Sequence, residues 1–167
     1  MAIFNLDNEQ PFGTVQSVDT ASIVISVTVS ELLSKLQVNH LIVVRSPKVG
    51  QCLIGLVTKI MRISSSDIVK VPLIGTLIDR LGIRSNVFKR TLESVPEIDA
   101  DCYIMKEEML TTFMSVISQE GADAQYPLCI GSYAISDEAK AWIDGNKLFQ
   151  RHAVITGSTG SGKSYTV

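Results

Sequence analysis

Few backbones accommodate the stretch Gly157-Ser158-Thr159-Gly160-Ser161-Gly162-Lys163-Ser164. It fits the spacing G-x-x-x-x-G-K-[ST] at every fixed position, Gly157, Gly162, Lys163 and Ser164. Glycines at these places let the chain curl until successive N–H groups point inward around an anion, where a Cβ would crowd the turn or the ligand. The apolar run His152–Thr156 leads straight into the loop and reads as a strand. A helix is expected to start near Gly162, presenting the positive end of its dipole to the same anion. A flexible Gly/Ser tail is the plain alternative, and it leaves both that strand and the lysine unexplained.

A strand, a curled loop and a helix in this order suit a nucleotide triphosphate. Lys163 would set a positive charge between the terminal phosphates, and the Ser164 hydroxyl would reach Mg²⁺. The candidate nucleotide-binding set is therefore Gly157, Ser158, Thr159, Gly160, Ser161, Gly162, Lys163 and Ser164, with ATP and Mg²⁺ as cofactors and Ser164 as the metal contact. Val167 follows closely, so the expectation is a truncated ATPase domain without the acidic strand end, the water-positioning residue or the arginine finger. Phosphoryl transfer is catalysed by positioning and electrostatics, so no catalytic residue is assigned to these residues. The 167-residue fragment alone is expected neither to hydrolyse ATP nor to bind it tightly.

Composition narrows the rest. A hydrophobic share of 46% suits a chain that buries a core, and the longest apolar run, Leu41 to Val44, is far too short to span a bilayer. The N-terminal residues Asp7, Asn8 and Glu9 do not read as a secretory signal, and a cytoplasmic protein is expected. Cys52, Cys102 and Cys129 are widely spaced in apolar surroundings, which reads as buried reduced thiols rather than a metal site or disulfide framework. A net charge of −2 argues against a surface that coats nucleic acid. Arg80, Arg84, Lys89 and Arg90 form the one basic concentration, read as a solvated face in preference to a phosphate-binding patch.

The first part of the chain reads as strands. Phe12–Val18, the turn Asp19-Thr20-Ala21 and the β-branched run Ser22–Val29 are followed by a short helical turn, Ser30–Leu36, capped by Ser30. His40–Arg45 and Cys52–Arg62 flank Pro47-Lys48-Val49-Gly50, a hairpin connection. Strands joined by such tight turns imply a small antiparallel barrel. In the middle, Leu73, Ile74, Leu77, Ile78 and Leu81 lie at helical spacing between Pro72 and Gly82, which predicts a helix over 72–81. Strand-like pieces at Thr91–Val95 and Asp101–Met105 precede a second helix, Glu107–Gln119, with Leu110, Phe113, Met114 and Ile117 on a core-facing side. Leu128–Ala134, interrupted by Gly131, reads as a last barrel strand with a bulge, and Asp144-Gly145-Asn146 as a turn. The expected organisation is a barrel domain over 1–143 with a helical insertion at about 64–125, then the start of a P-loop ATPase domain over 144–167. The fold class is mainly β with an α insertion.

The stretch from Asp144 to Ser164 resembles the lead-in to the ATPase core of the HerA family, FtsK-related DNA-translocating ATPases of bacteria and archaea. The family pattern is an Asn-containing turn, then Arg/Asn-His before the first core strand, then a loop of the sequence found at Gly157–Ser164. Gly13-Thr14-Val15, the β-branched second strand and Gly55-Leu56-Val57 are also similar to that family's small barrel, a relative of the barrel on rotary ATP synthase subunits. The resemblance implies a ring, hexameric, that moves along DNA as a translocase or helicase, its barrel serving assembly and docking. It implies partners such as a nuclease or a sirtuin-like NADase effector in antiphage defence, with DNA held by the parent's ATPase ring and no membrane. His152 aligns with the family's histidine and is read as packed or capping. A conjugation or secretion ATPase, a rotary-type subunit and a stand-alone interaction module are the competing expectations.

Overall fold

The computed structural model describes residues 4, 6–63, 66–79, 86–123, 125–133, 136–150, 154 and 156–160. It divides into two compact units, Met1–Ile117 and Ser118–Val167.

The first unit begins with a single 3₁₀ turn, Leu6–Asn8, and continues through β1 (Gly13–Val18), β2 (Ser22–Val27), α1 (Ser30–Leu33), β3 (Leu41–Arg45), β4 (Gln51–Leu56), β5 (Lys59–Ile63), β6 (Ser66–Ile78), β7 (Val87–Lys89) and β8 (Asp101–Ile104). Following the ladders from β1 through β2, β6, β4, β3 and β8 returns to β1, so six antiparallel strands close a barrel. Closure pairs both flanks of each of these strands, which removes the exposed edges that an open sheet of this composition would present.

Alternation places Val15 of β1, Ile23 and Ile25 of β2, Ile42 and Val44 of β3, Leu53 of β4 and Val69 and Val71 of β6 in one buried cluster with Cys102 of β8. Two glycines allow strands to approach closely here. A Cβ on Gly13 would lie 2.3 Å from the Ser26 carbonyl oxygen, and one on Gly55 would lie 2.4 Å from Cγ1 of Val71. The glycine-valine patterns of the sequence thus mark places where the barrel has no room for a side chain.

The thirteen-residue strand β6 connects the two halves of the barrel. Its first part runs between β5 and β2, and its second part between β4 and β7. This corrects the helix expected over 72–81: Pro72 to Ile78 are extended, and residues 80–82 lie outside the described residues. The misleading spacing has a physical source. A bulge puts Leu73 opposite Gly55 and Gly75 opposite Ile54, so Ile74 is an extra residue that shifts the inside-outside phase. Two of the six barrel strands, β6 and β8, therefore come from the stretch that the sequence reads as an insertion.

Other boundaries shift for local reasons. The run Cys52–Arg62 is two strands, interrupted at Val57 and Thr58. The cap of α1 is Val29, with no side-chain bond, one residue before the expected Ser30. Thr91–Val95 is not a strand, and it is fixed by side chains instead: Thr76 Oγ1 donates to the Thr91 carbonyl (3.0 Å) and accepts from the Glu93 N–H (3.1 Å). The hairpin at 47–50 is as read, with Gly50 in the left-handed region (φ 73°).

The helix α2 (Glu107–Ala122) crosses from the first unit into the second. Leu110 and Phe113 are buried, and the Phe113 ring meets Phe88 of β7 edge-on at 5.0 Å. Ile117, expected on the same face, is exposed, while Ser118 is buried. The second unit holds a two-stranded sheet, β9 (Pro127–Tyr133) with β10 (Ser136–Asp144), and the short helix α3 (Gly145–Phe149). The segment expected as a last barrel strand is thus β9, paired with β10 rather than with the barrel. Its irregularity is where the sequence puts it: Gly131 faces Ala141 and Cys129 faces Trp142, leaving Ile130 as the extra residue. No helix among the described residues is long and apolar enough to cross a membrane.

Candidate functional site

The lead-in to the glycine-rich loop is a strand that turns into a helix. Asp144 ends β10 in an extended conformation (ψ 110°), and its Oδ1 accepts from the N–H groups of Asn146 (3.0 Å) and Lys147 (3.4 Å). Asp-Gly-Asn is therefore an N-cap with the first residues of α3, where the sequence alone suggests a turn. The N–H of Gln150 bonds back to the Asn146 carbonyl at 2.9 Å and completes the helix.

Beyond α3, Val154 and Thr156 are described, and neither lies in a strand. A core strand is held by ladder partners, and β9 and β10 pair with each other. Arg151, His152, Ala153 and Ile155 lie outside the described residues, so no position is assigned to the family's histidine. Of the eight candidate residues, Gly157, Ser158, Thr159 and Gly160 are described, and all four are exposed. Thr159 and Gly160 form a turn in which Gly160 has φ 85°, a left-handed conformation that glycine adopts without the Cβ penalty. The space around Gly160 is open, so backbone geometry rather than crowding favours glycine there. Ser161, Gly162, Lys163 and Ser164 lie outside the described residues. What is on view is the first half of an exposed, glycine-hinged loop.

A different feature of the first unit was not legible in the sequence. A cavity of about 770 Å³ lies beside the β3–β4 hairpin, bordered by Asp7, Arg45, Lys48, Gln51, Cys52 and Asp79. Its charged groups are already engaged. The Arg45 guanidinium donates to the Tyr103 hydroxyl (3.3 Å) and to Asp7 (3.2 Å), and the Tyr103 bond chiefly holds its pKa above the ordinary arginine value. Lys48 Nζ donates to the Glu93 carbonyl at 2.8 Å. Burial pushes the Cys52 thiol up to about 11, so it is not a nucleophile near neutrality. Gln51 Oε1 has no hydrogen-bond partner, but it is itself buried and gives a bound molecule no hold. These side chains brace two loops together and do not form a reactive set.

The basic concentration noted in the sequence is also partly neutralised. Lys89 pairs with Glu93, whose carboxyl is held below the usual range chiefly by that bond, while Arg80 and Arg84 lie outside the described residues. Of the three thiols expected to be buried, one is so placed. Cys102 is buried, Cys52 is partly buried and Cys129 is exposed, because β9 belongs to a two-stranded sheet rather than to the barrel wall.

Comparison with known proteins bears on the second unit. Residues 128–167 match the family described as helicase HerA, central domain. The match begins in β9 and takes in β10, α3 and the whole glycine-rich loop. It supports a HerA/FtsK-type ATPase as the relative of this segment and fits the start of an ATPase domain placed after a barrel. A search of curated proteins found no match.

Proposed function

We propose, with the match to the central domain of helicase HerA as premise, that this chain is the barrel and the opening of the ATPase core of a ring-forming, ATP-driven DNA translocase or helicase. The carrying observation is one of position: the nucleotide-loop motif Gly157–Ser164 falls inside the matched segment, downstream of a closed barrel. In this reading the N–H groups of Gly157 to Gly162 cradle the phosphates of ATP. Lys163 neutralises the terminal pair, and Ser164 contributes a hydroxyl to Mg²⁺. Gly160 serves the cradle by turning the chain without a side chain in the way.

The resemblance adds a second role for the barrel in the same protein, as the platform on which copies assemble into a hexamer and on which a nuclease or sirtuin-like NADase effector docks. Such an assembly would work in the cytoplasm, with antiphage defence as the setting that the resemblance favours. The nucleotide reading is tested in the full-length parent protein. Lys163→Ala should lower DNA-stimulated ATP turnover on the order of 10²-fold or more, since a charge that acts in the transition state is lost. Unchanged turnover would remove Lys163 from the site and the reading with it. The 167-residue chain alone should show no turnover above its own Lys163→Ala control.

A further inference from the structure

Two exposed surfaces of the barrel unit carry opposite charge, and one chain cannot bring them together. The first is on the outer face of β5, β6 and β2. Ile60, Val69 and Val71 point into the core, so the intervening residues Lys59, Met61, Ile68 and Lys70 face outward. Lys59 and Lys70 stand directly opposite one another in the ladder, an arrangement of like charges that is locally unfavourable. Both are exposed, and among the described residues no carboxylate pairs with either. The neighbouring pair Met61–Ile68 is half-buried, and Ile63 at the end of β5 is 52% exposed. The outer flank of β5 has no ladder partner among the described residues.

The second surface is the segment Val95-Pro96-Glu97-Ile98-Asp99 before β8. Pro96 is buried and Asp99 donates its N–H to the Val15 carbonyl at 2.8 Å, so the segment is anchored at both ends. The segment presents Val95 (63% exposed) and Ile98 (55% exposed) together with the exposed carboxylates of Glu97 and Asp99. No cation pairs with either carboxylate among the described residues.

In the six-strand circuit β8 and β6 are three strands apart in either direction, so they face away from each other across the barrel. We infer that the acidic loop 95–99 of one copy docks on the Lys59/Lys70 face of the next, giving a head-to-tail contact between barrels. Each surface supplies what the other lacks: two cations beside apolar side chains, and two carboxylates beside apolar side chains. Because the two surfaces differ, the contact is heterologous and repeats from copy to copy, so it closes as a ring or continues as a filament. The inference deepens the assembly role proposed above and rests on it.

The test is a charge swap in the full chain, read by light scattering over a concentration series. Lys59→Glu with Lys70→Glu should weaken self-association at least about tenfold, by setting acid against acid. Glu97→Lys with Asp99→Asn should do the same from the other side. Asparagine is used because Asp99 has φ 66° and asparagine tolerates that region. The two double variants mixed, or all four changes in one chain, should restore assembly. Thermal melts confirm that each variant folds. A wild-type chain that stays monomeric at every concentration overturns the inference, as does assembly that ignores both double variants or a swap that fails to rescue. Association is read without nucleotide and ATP turnover is read separately, so a failed nucleotide reading and a failed docking reading give separate results.

Discussion

The barrel and the segment that follows it solve the same problem unequally. In the barrel each of six strands finds two neighbours, and Ile23, Ile25, Ile42, Val44, Leu53, Val69 and Val71 are buried to 0% exposure. In the second unit the sheet has two strands, and apolar groups remain open to solvent: Ile130 at 62%, Phe149 at 76% and Val154 at 83%. A two-stranded ribbon cannot bury a face by itself. Among the described residues, the nucleotide-loop motif therefore lies in the unit with the less buried apolar surface, and the barrel unit, which has the more, shows no reactive set.

Three measurements can break or sharpen that contrast. The largest effect is expected from paired truncations. Ile25→Ala should lower barrel stability by about 2–5 kcal/mol, the cost of a buried cavity, whereas Ile130→Ala should stay within about 0.5 kcal/mol. Comparable losses at both positions, measured by denaturant unfolding, would mean that the second unit is as tightly packed as the first.

Thiol chemistry gives an intermediate effect. At pH 8, Cys129 should be alkylated readily. Cys52 should react on the order of 10²-fold more slowly than an ordinary exposed thiol, and Cys102 slower still. Burial raises both barrel thiols, so their contribution to stability holds below the usual thiol range and is lost as pH rises. For Cys52 that loss is complete above about 11. Mass spectrometry of the labelled chain reads the order directly, and rapid labelling of Cys102 would show that the barrel opens.

The smallest effect concerns Asp67, which accepts from Arg62 Nε (2.6 Å) and Nη2 (3.0 Å) across β5 and β6. The Arg62 bonds hold the Asp67 pKa below its ordinary value, so their contribution is present above the usual carboxylate range and lost as pH falls through the lowered one. Asp67→Asn should flatten that acid limb of the stability profile slightly, and no more than slightly, because the Arg62 side chain is 69% exposed. A profile that does not change on substitution would show the pair to be neutral.

Much of the barrel was legible because its strands obey the rules that sequence can display. β-branched residues alternate in β2, and Asp19-Thr20-Ala21 and Pro47–Gly50 punctuate the hairpins. What was not legible depends on long-range pairing. The bulge at Ile74 is set by β4, twenty residues earlier in the chain, and it converts a strand's period into a helix's. The cross-links from Thr76 to Thr91 and Glu93, and from Gln51 to Glu93, join residues that no local pattern connects. For the glycine-rich loop the reverse holds. Its motif is local and easily read, while the cradle requires the surroundings of Lys163 and Ser164, which lie outside the described residues.

Closure through β8 also has a bearing on synthesis. Until Ile104 leaves the ribosome, β1 and β3 share no neighbour, and the strands already made form an open sheet with Gly13–Val18 and Leu41–Arg45 as its unmet edges. The first strand then waits for a partner nearly ninety residues later, Gly13 opposite Cys102, before its free side is covered. Such distant pairing makes for slow folding and a long exposure of sticky edges. Interrupting translation shortly before Asp101 should leave a chain that aggregates, and extending it past Ile104 should leave one that does not.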